Sequence, residues 1–161
     1  MEPIIRGIQL KDNPRMAEII RSVLLELGVP KGGTAYADTS LDCMFETYKK
    51  KGARYFVVEE DGQVIGGGGV AQLENYDGNV CELQKMYFLP MARGRGIGTL
   101  MIDRCLEAAS ELGYTHCYLE TMPYMEAAQK LYKQYGFNTL EGRMGDTGHY
   151  ACGVYMLKDL G

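Results

Sequence analysis

The sequence predicts a single α/β (α+β) domain spanning residues 1–161, and three observations carry that reading. Apolar spacing switches between period two and period 3.6 along the chain, giving the order β-α-α-β-β-β-α-β-α-β-β. Asp61-Gly62 and the turn 75–79 join three consecutive strand patterns, which makes the first half of the sheet antiparallel. A strand running into Pro90 is followed by a glycine-rich turn and then a long helical stripe, so the second half alternates strand with helix. A chain of 161 residues is one ordinary domain and can bury a core without staples.

Taken in order, "IIRGIQL" (4–10) reads as the opening strand. Asp12 or Asn13 is placed to cap the next helix, with Pro14 in its first turn. In "RMAEIIRSVLLELG", Ile19, Val23, Leu24 and Leu27 recur at helical spacing and Gly28 ends the run. Residues 29–40 read as a loop, after which Thr39 or Ser40 caps a short helix, "LDCMFETYKKKG", whose lysines form a solvated end. Residues 54–74 are two strands about Asp61-Gly62, and 80–89 a third. From Gly96 to Gly113, Ile97, Met101, Cys105, Ala108 and Leu112 make one helical stripe. "THCYLET" is a strand, "EAAQKLYKQYG" a helix closed by Gly136, and "FNTLEG" with "HYACGVYMLKDL" a last pair of strands.

Bulk properties narrow the function. Hydrophobic residues at 46% and charged residues at 24% describe a soluble globular chain, and a net charge of −4 argues against a nucleic-acid partner. The five cysteines, Cys43, Cys81, Cys105, Cys117 and Cys152, are odd in number and lie mostly in apolar stretches, as free thiols in a reducing compartment do. With no signal pattern at the N-terminus and no apolar run of about 18 residues, the expectation is a cytoplasmic protein without a membrane partner.

The glycine-rich turn, Arg93-Gly94-Arg95-Gly96-Ile97-Gly98-Thr99, carries the chemistry. The first turn of a helix presents unpaired N–H groups and roughly half a positive charge. Glycines strip side chains from that surface, so an anion can rest on the amides, and Arg93 and Arg95 add flanking charge suited to a diphosphate. No Gly-x4-Gly-Lys-Ser/Thr string occurs, and Gly98 follows Gly96 too closely for a dinucleotide fingerprint.

Arg93-x-x-Gly96-x-Gly98 resembles the pyrophosphate loop of the GNAT family of N-acetyltransferases. "ELQKMYFLPMARGRGIG" is similar to that family's fourth strand and loop, and "YLETM…AAQKLYKQYGF" to its fifth strand and following helix. The resemblance covers about residues 55 to 140. It implies the family's fold, a central mixed, mostly antiparallel sheet of about six to seven strands flanked by about four helices. It also implies an acetyl-coenzyme A-dependent N-acetyltransferase acting on a primary amine, with no metal and, as in many relatives, a homodimer; the sequence does not identify the acceptor, and a small molecule is expected over a protein amine. The backbone of Met86, Tyr87 and Phe88 would meet the pantetheine arm, and Gly94, Arg95, Gly96, Ile97, Gly98 and Thr99 with Arg93 would hold the pyrophosphate.

Tyr132 matches the helix tyrosine that returns a proton to the departing thiolate; a phenol of pKa near 10 is neutral at pH 7 and can do so. Two carboxylates match bases used in the family: Glu82, eleven positions before Arg93, and Glu120, twelve before Tyr132. Deprotonating an amine of pKa ~10.4 at pH 7 costs about 4–5 kcal/mol, against about 1 for an α-amine of pKa ~8, so the need for a base depends on the acceptor. The alternative for both carboxylates is a solvent-facing position or a pairing with Lys85 or Arg143. Met125 stands where many members place an asparagine that bonds the cofactor's arm. Transfer is direct, so no cysteine is needed. A non-catalytic coenzyme A sensor on the same fold, or a generic nucleotide binder, would share the loop but not require Tyr132 or a base.

Other features point elsewhere. Four glycines, 66–69, inside a strand pattern mean a bulge, a close approach by a ligand or chain, or a flexible edge. His149-x-x-Cys152 and His116-Cys117 lack the paired spacing of a zinc site, so no metal is expected. His149, Tyr150, Tyr36 and Tyr124 are further residues that can line an acceptor cleft.

Overall fold

In the computed structural model, which describes residues 2–28, 35–148 and 153–161, one seven-stranded sheet organises the chain. Its strands are β1 (Ile4–Gly7), β2 (Arg54–Glu60), β3 (Gln63–Gln72), β4 (Val80–Phe88), β5 (His116–Thr121), β6 (Asn138–Leu140) and β7 (Val154–Asp159), in the spatial order β1-β2-β3-β4-β5-β7-β6. The helices are α1 (Asn13–Glu26), α2 (Met44–Thr47), α3 (Ile97–Glu111) and α4 (Glu126–Gln134). The β2–β3 turn is the tight hairpin that Asp61-Gly62 predicts, with positive φ at both residues (51° and 78°).

Alternation along β2 sorts the core into two layers. Tyr55 and Val57 face α1 and α2, packing with Met16, Ile19, Ile20, Val23 and Met44. Phe56 and Val58 face α3, joining Met101, Cys105 and Ala108 with Cys81, Leu83, Cys117 and Leu119. Burying an aliphatic side chain of this size contributes about 1.5–3 kcal/mol, so the stripes on α1 and α3 hold the helices to opposite faces.

Several boundaries differ from expectation near the N-terminus. β1 stops at Gly7 because Leu10–Asp12 forms a 3-10 turn. Asp12 does not cap α1; its carboxylate accepts the Gln9 N–H at 2.8 Å and both Arg6 guanidinium nitrogens at 2.9 and 3.0 Å. Asn13 caps another helix instead, its Oδ1 accepting the Phe45 N–H at 2.8 Å while its Nδ2 donates to Glu46 at 2.7 Å. The helix expected over 41–52 shrinks to a 3-10 segment, Thr39–Cys43, and the four residues of α2, because Cys43 leaves helical geometry (φ −138°, ψ 51°). Lys49–Lys51 therefore lie beyond the helix, and Tyr48 at its end is buried.

The four glycines are not at a flexible edge. β3 lies between β2 and β4, and a Cβ on Gly69 would stand 2.5 Å from the Arg54 carbonyl oxygen and 2.5 Å from the Tyr55 ring. One on Gly67 would stand 2.7 Å from the Tyr55 hydroxyl. β3 has an extra residue at Ile65, between the pairs Val58–Gly66 and Glu59–Val64, and a bulge lies opposite on β4: Gly69 pairs with Gln84 and Gly67 with Tyr87, leaving one extra residue there, with Lys85 at φ 51°. The Tyr55 hydroxyl donates to the Lys85 carbonyl at 2.7 Å and pins the bulge.

The position of the site follows from β4. Its pairing with β5 is the parallel one in the sheet and lasts three residues, Val80–Glu82 against His116–Tyr118. Beyond Glu82 the strands part: β4 continues to Phe88 along β3, while β5 continues to Thr121 along β7.

Candidate active site

At the end of β4, Pro90–Ala92 makes a 3-10 turn, Gly94 adopts φ 71°, and Gly96 at φ 78° opens α3 with no side chain capping it. A side chain at Gly96 would be held in left-handed backbone, a cost of roughly 1–2 kcal/mol. A Cβ at Gly94 or Gly96 would meet nothing within 4 Å, so the first-turn amides face open space. A Cβ at Gly98 would lie closer to the protein, 3.7 Å from Leu131 of α4 and 3.8 Å from the Phe88 ring.

Both loop arginines have protein partners. Arg93 donates to both Glu26 oxygens at 2.8 Å and to the Phe88 carbonyl at 3.2 and 3.0 Å, tying the end of α1 to the end of β4. Arg95 pairs with Glu60 and donates to the Met91 carbonyl at 3.2 Å. These guanidiniums hold the Glu26 and Glu60 carboxyls below their ordinary range. Much of the loop's side-chain charge is thereby balanced, and the backbone amides remain as its free positive surface.

Met86, Tyr87 and Phe88 are half-buried along the edge of β4 that β5 has left. Met86 and Phe88 pack toward α3, and Tyr87 toward α1. No β5 residue pairs with this stretch among the described residues.

On the α1 side of the sheet lies a cleft of about 220 Å³, about seven water volumes, lined by Asp38, Tyr48, Lys50, Glu82, Gln84 and Thr147 among others. Glu82 forms part of its wall and is only 4% exposed, accepting the Gln84 amide N–H at 2.6 Å. Gln84 in turn accepts the Tyr48 hydroxyl. Burial, then the neighbouring Glu82 and Asp38 carboxylates, push the Tyr48 phenol far above its ordinary range. Lys85 pairs with Asp38 at 3.6 Å.

Glu120 is on the same face of β5, but both its oxygens are occupied: one accepts the Tyr118 hydroxyl at 2.7 Å, the other the Thr147 hydroxyl at 2.6 Å. Tyr118, fully buried beside Glu82 in register, also accepts the Met144 N–H at 3.2 Å. Burial raises the Tyr118 phenol, so it stays a donor.

Tyr132 approaches from the opposite face. It lies on α4, edge-on to Phe137 at 5.9 Å and packed against the α3-side core. Its hydroxyl has no hydrogen-bond partner among the described residues, and burial pushes it up to about 12. Met125 is spent structurally, its sulfur accepting the Thr121 hydroxyl at 3.4 Å. The nearby amide of Gln129 donates to the carbonyls of Met122 and Pro123 at 2.8 and 3.1 Å.

Cys43, Cys81, Cys105 and Cys117 are free thiols, and burial lifts Cys105 to about 12. His116 bonds Thr115 at 2.9 Å, and no cluster of three metal-ligating side chains occurs among the described residues. Tyr36 is half-buried against the α1 core, and Tyr124 is 52% exposed. His149, Tyr150 and Cys152 lie outside the described residues. No helix among those described is long and apolar enough to cross a membrane.

Sequence reading missed Tyr48, Gln84 and Thr147. Gln84 carried a signal, since residues two apart in a strand share a face and 84 is two from Glu82. Tyr48 was hidden at the head of a lysine run, and Thr147 comes from a segment without periodicity.

Residues 20–137 match the family model described as the acetyltransferase (GNAT) family. The chain is 42% identical over 159 residues to YjgM, an uncharacterized N-acetyltransferase of Escherichia coli (strain K12), covering 98% of this chain and 95% of that one. A GNAT-family acetyltransferase from Staphylococcus aureus Mu50 superposes with a TM-score of 0.84 at 18% identity, over 99% of this chain and 100% of that one. A phosphinothricin acetyltransferase from Sinorhizobium meliloti, in complex with acetyl-coenzyme A, does so at 0.80 and 21% identity, over 100% and 90%.

Proposed function

This chain belongs to the GNAT family of acetyltransferases, and on that premise we propose that it moves an acetyl group from acetyl-coenzyme A directly to a primary amine of a small, polar acceptor. One observation supports this most: α3 opens on uncapped amides at Gly96, beside the point where β4 and β5 separate. The residues present suit the donor. Open faces at Gly94 and Gly96 suit a pyrophosphate, and Met86–Phe88, where β4 has parted from β5, suits an extended amide-bearing arm.

When bound, acetyl-coenzyme A supplies an activated acyl group. Glu82, in the cleft wall, takes the proton from the incoming amine, directly or through a water. Backbone N–H on the open edge of β4 polarises the carbonyl. Tyr132, held protonated by burial, delivers a proton to the leaving sulfur from the other face of the sheet. Between the two glutamates we assign the base to Glu82, because it lines the cleft, whereas Glu120 is turned to the Tyr118 and Thr147 hydroxyls. The cleft's small volume and polar lining favour a small molecule over a protein terminus.

Thiol release from acetyl-coenzyme A with a panel of amines, comparing the native protein with Tyr132→Phe, tests this. Turnover that falls about 10²-fold or more with cofactor affinity retained supports the reading. Firm acetyl-coenzyme A binding without turnover of any amine would indicate a coenzyme A sensor, and tighter binding of ATP in calorimetry a nucleotide binder.

A further inference from the structure

We infer that Gln84 is the positioning residue for Glu82, and that Tyr48 locks the Gln84 amide in the orientation this requires; the inference rests on Glu82 being the base. Four observations carry it. Gln84 Nε2 donates to Glu82 Oε1 at 2.6 Å, the short distance of a charge-assisted bond. An amide has one donor end and one acceptor end, so with its nitrogen on Glu82 its oxygen must face Tyr48, whose hydroxyl donates to it. Tyr48 is itself fixed, 5% exposed with its ring centroid 5.0 Å from that of Tyr55, the residue that pins the β4 bulge. Finally, the bulge begins immediately after Gln84, so residue 84 keeps the strand alternation that aligns it with Glu82 before Lys85 departs from it.

The chemical consequence is a base held in one rotamer and in its ionised form. A carboxylate this buried is costly to ionise unless something donates to it, and the Gln84 N–H does so. Other charges face the same space. Asp38 and Lys85 form an ion pair, Lys50 and Glu74 line the cleft, and Tyr118 neighbours Glu82 from β5 with Glu120 beyond it. Cys117 lies behind the sheet. Of these, Tyr48 and Tyr118 are phenols held protonated, so neither changes charge through the acid range in which a carboxylate titrates.

The experiment has a spectroscopic and a kinetic arm. In protein labelled with 13C at glutamate carboxyls, the Glu82 signal is assigned by its loss in Glu82→Gln and titrated. Gln84→Leu is expected to move its midpoint up by about one to two pH units, the worth of one hydrogen bond to a charge. Tyr48→Phe moves it in the same direction by less, and adds nothing when combined with Gln84→Leu, because it acts through the amide. Calorimetry with acetyl-coenzyme A confirms that each variant retains its fold. An unmoved midpoint in folded Gln84→Leu, or additive shifts, would overturn the inference.

The kinetic arm uses whichever of L-lysine, L-aspartate and spermidine releases thiol fastest. The acidic limb of kcat/KM should follow the carbon midpoint upward, with activity recovering above it. A uniform drop at every pH would show a merely structural role and overturn the inference. If the carbon midpoint moves and the kinetic limb does not, the positioning stands and it is the assignment of Glu82 as base that fails.

Discussion

The two halves of the site are built by different means. The loop at the head of α3 is built from backbone: two glycines adopt left-handed geometry, and its side-chain cations pair with Glu26 and Glu60 at the surface. The cleft on the α1 side works through side chains from distant segments, with Tyr48 from the end of α2, Glu82 and Gln84 from β4, and Thr147 from near the C-terminus. A backbone site tolerates little at its glycines and much at its other positions. A side-chain site depends on each member of its hydrogen-bond chain.

That contrast can be broken most severely at the two glutamates. Glu82→Gln should lower kcat/KM by about 10²–10⁴-fold with a lysine-like amine and much less with an α-amine, about half of which is already neutral at pH ~8. Glu120→Gln should cost little turnover, since that carboxylate serves two hydroxyls. Steady-state rates for both variants with both amine types check this, and a larger loss at Glu120 would reverse the assignment.

Next in size is Gly96→Val. It should weaken acetyl-coenzyme A binding by about 10–100-fold in calorimetry, through backbone strain and a methyl-bearing side chain over the amides, while leaving the cleft's titration unchanged. Gly69→Ala acts on the sheet beneath the cleft, where Gly69 pairs with Gln84. Its Cβ would meet backbone oxygen at 2.5 Å, so a loss of about 1–3 kcal/mol is expected, read as a melting temperature lower by roughly 3–10 °C.

The smallest effects are those of thiols that the chemistry does not use and of the share that one catalytic phenol has in stability. Cys43→Ser, Cys81→Ser, Cys105→Ser and Cys117→Ser should each leave turnover largely intact, because transfer is direct and these thiols are outside it; an inactive variant that still binds donor would contradict direct transfer. Tyr132 gives a pH signature. Its phenol ionises near 12 folded and near 10 unfolded, so its share of stability is whole below pH 10 and falls as pH rises from 10 toward 12. Tyr132→Phe should flatten that part of an alkaline denaturation curve.

Much of this was legible from residue order. The element sequence, the Asp61-Gly62 hairpin and the α3 stripe follow from local periodicity and turn chemistry, and the glycine loop from the needs of an anion at a helix terminus. The N-terminal caps were not legible: Asp12 and Asn13 are ordinary capping residues, yet both are drawn to partners elsewhere, Arg6 and α2. Nor did the four glycines reveal that they sit beneath Tyr55.

By itself the sequence determined that a bare helix terminus follows a strand near residue 96, because φ preference and side-chain absence are properties of single residues. Only the tertiary structure put Glu82 in the wall of the cleft and turned both Glu120 oxygens onto hydroxyls. That outcome depends on where β4 and β5 part, on the bulge at Lys85, and on hydroxyls brought from 48, 118 and 147. Hydrogen bonds between residues far apart in the chain carry no local signature.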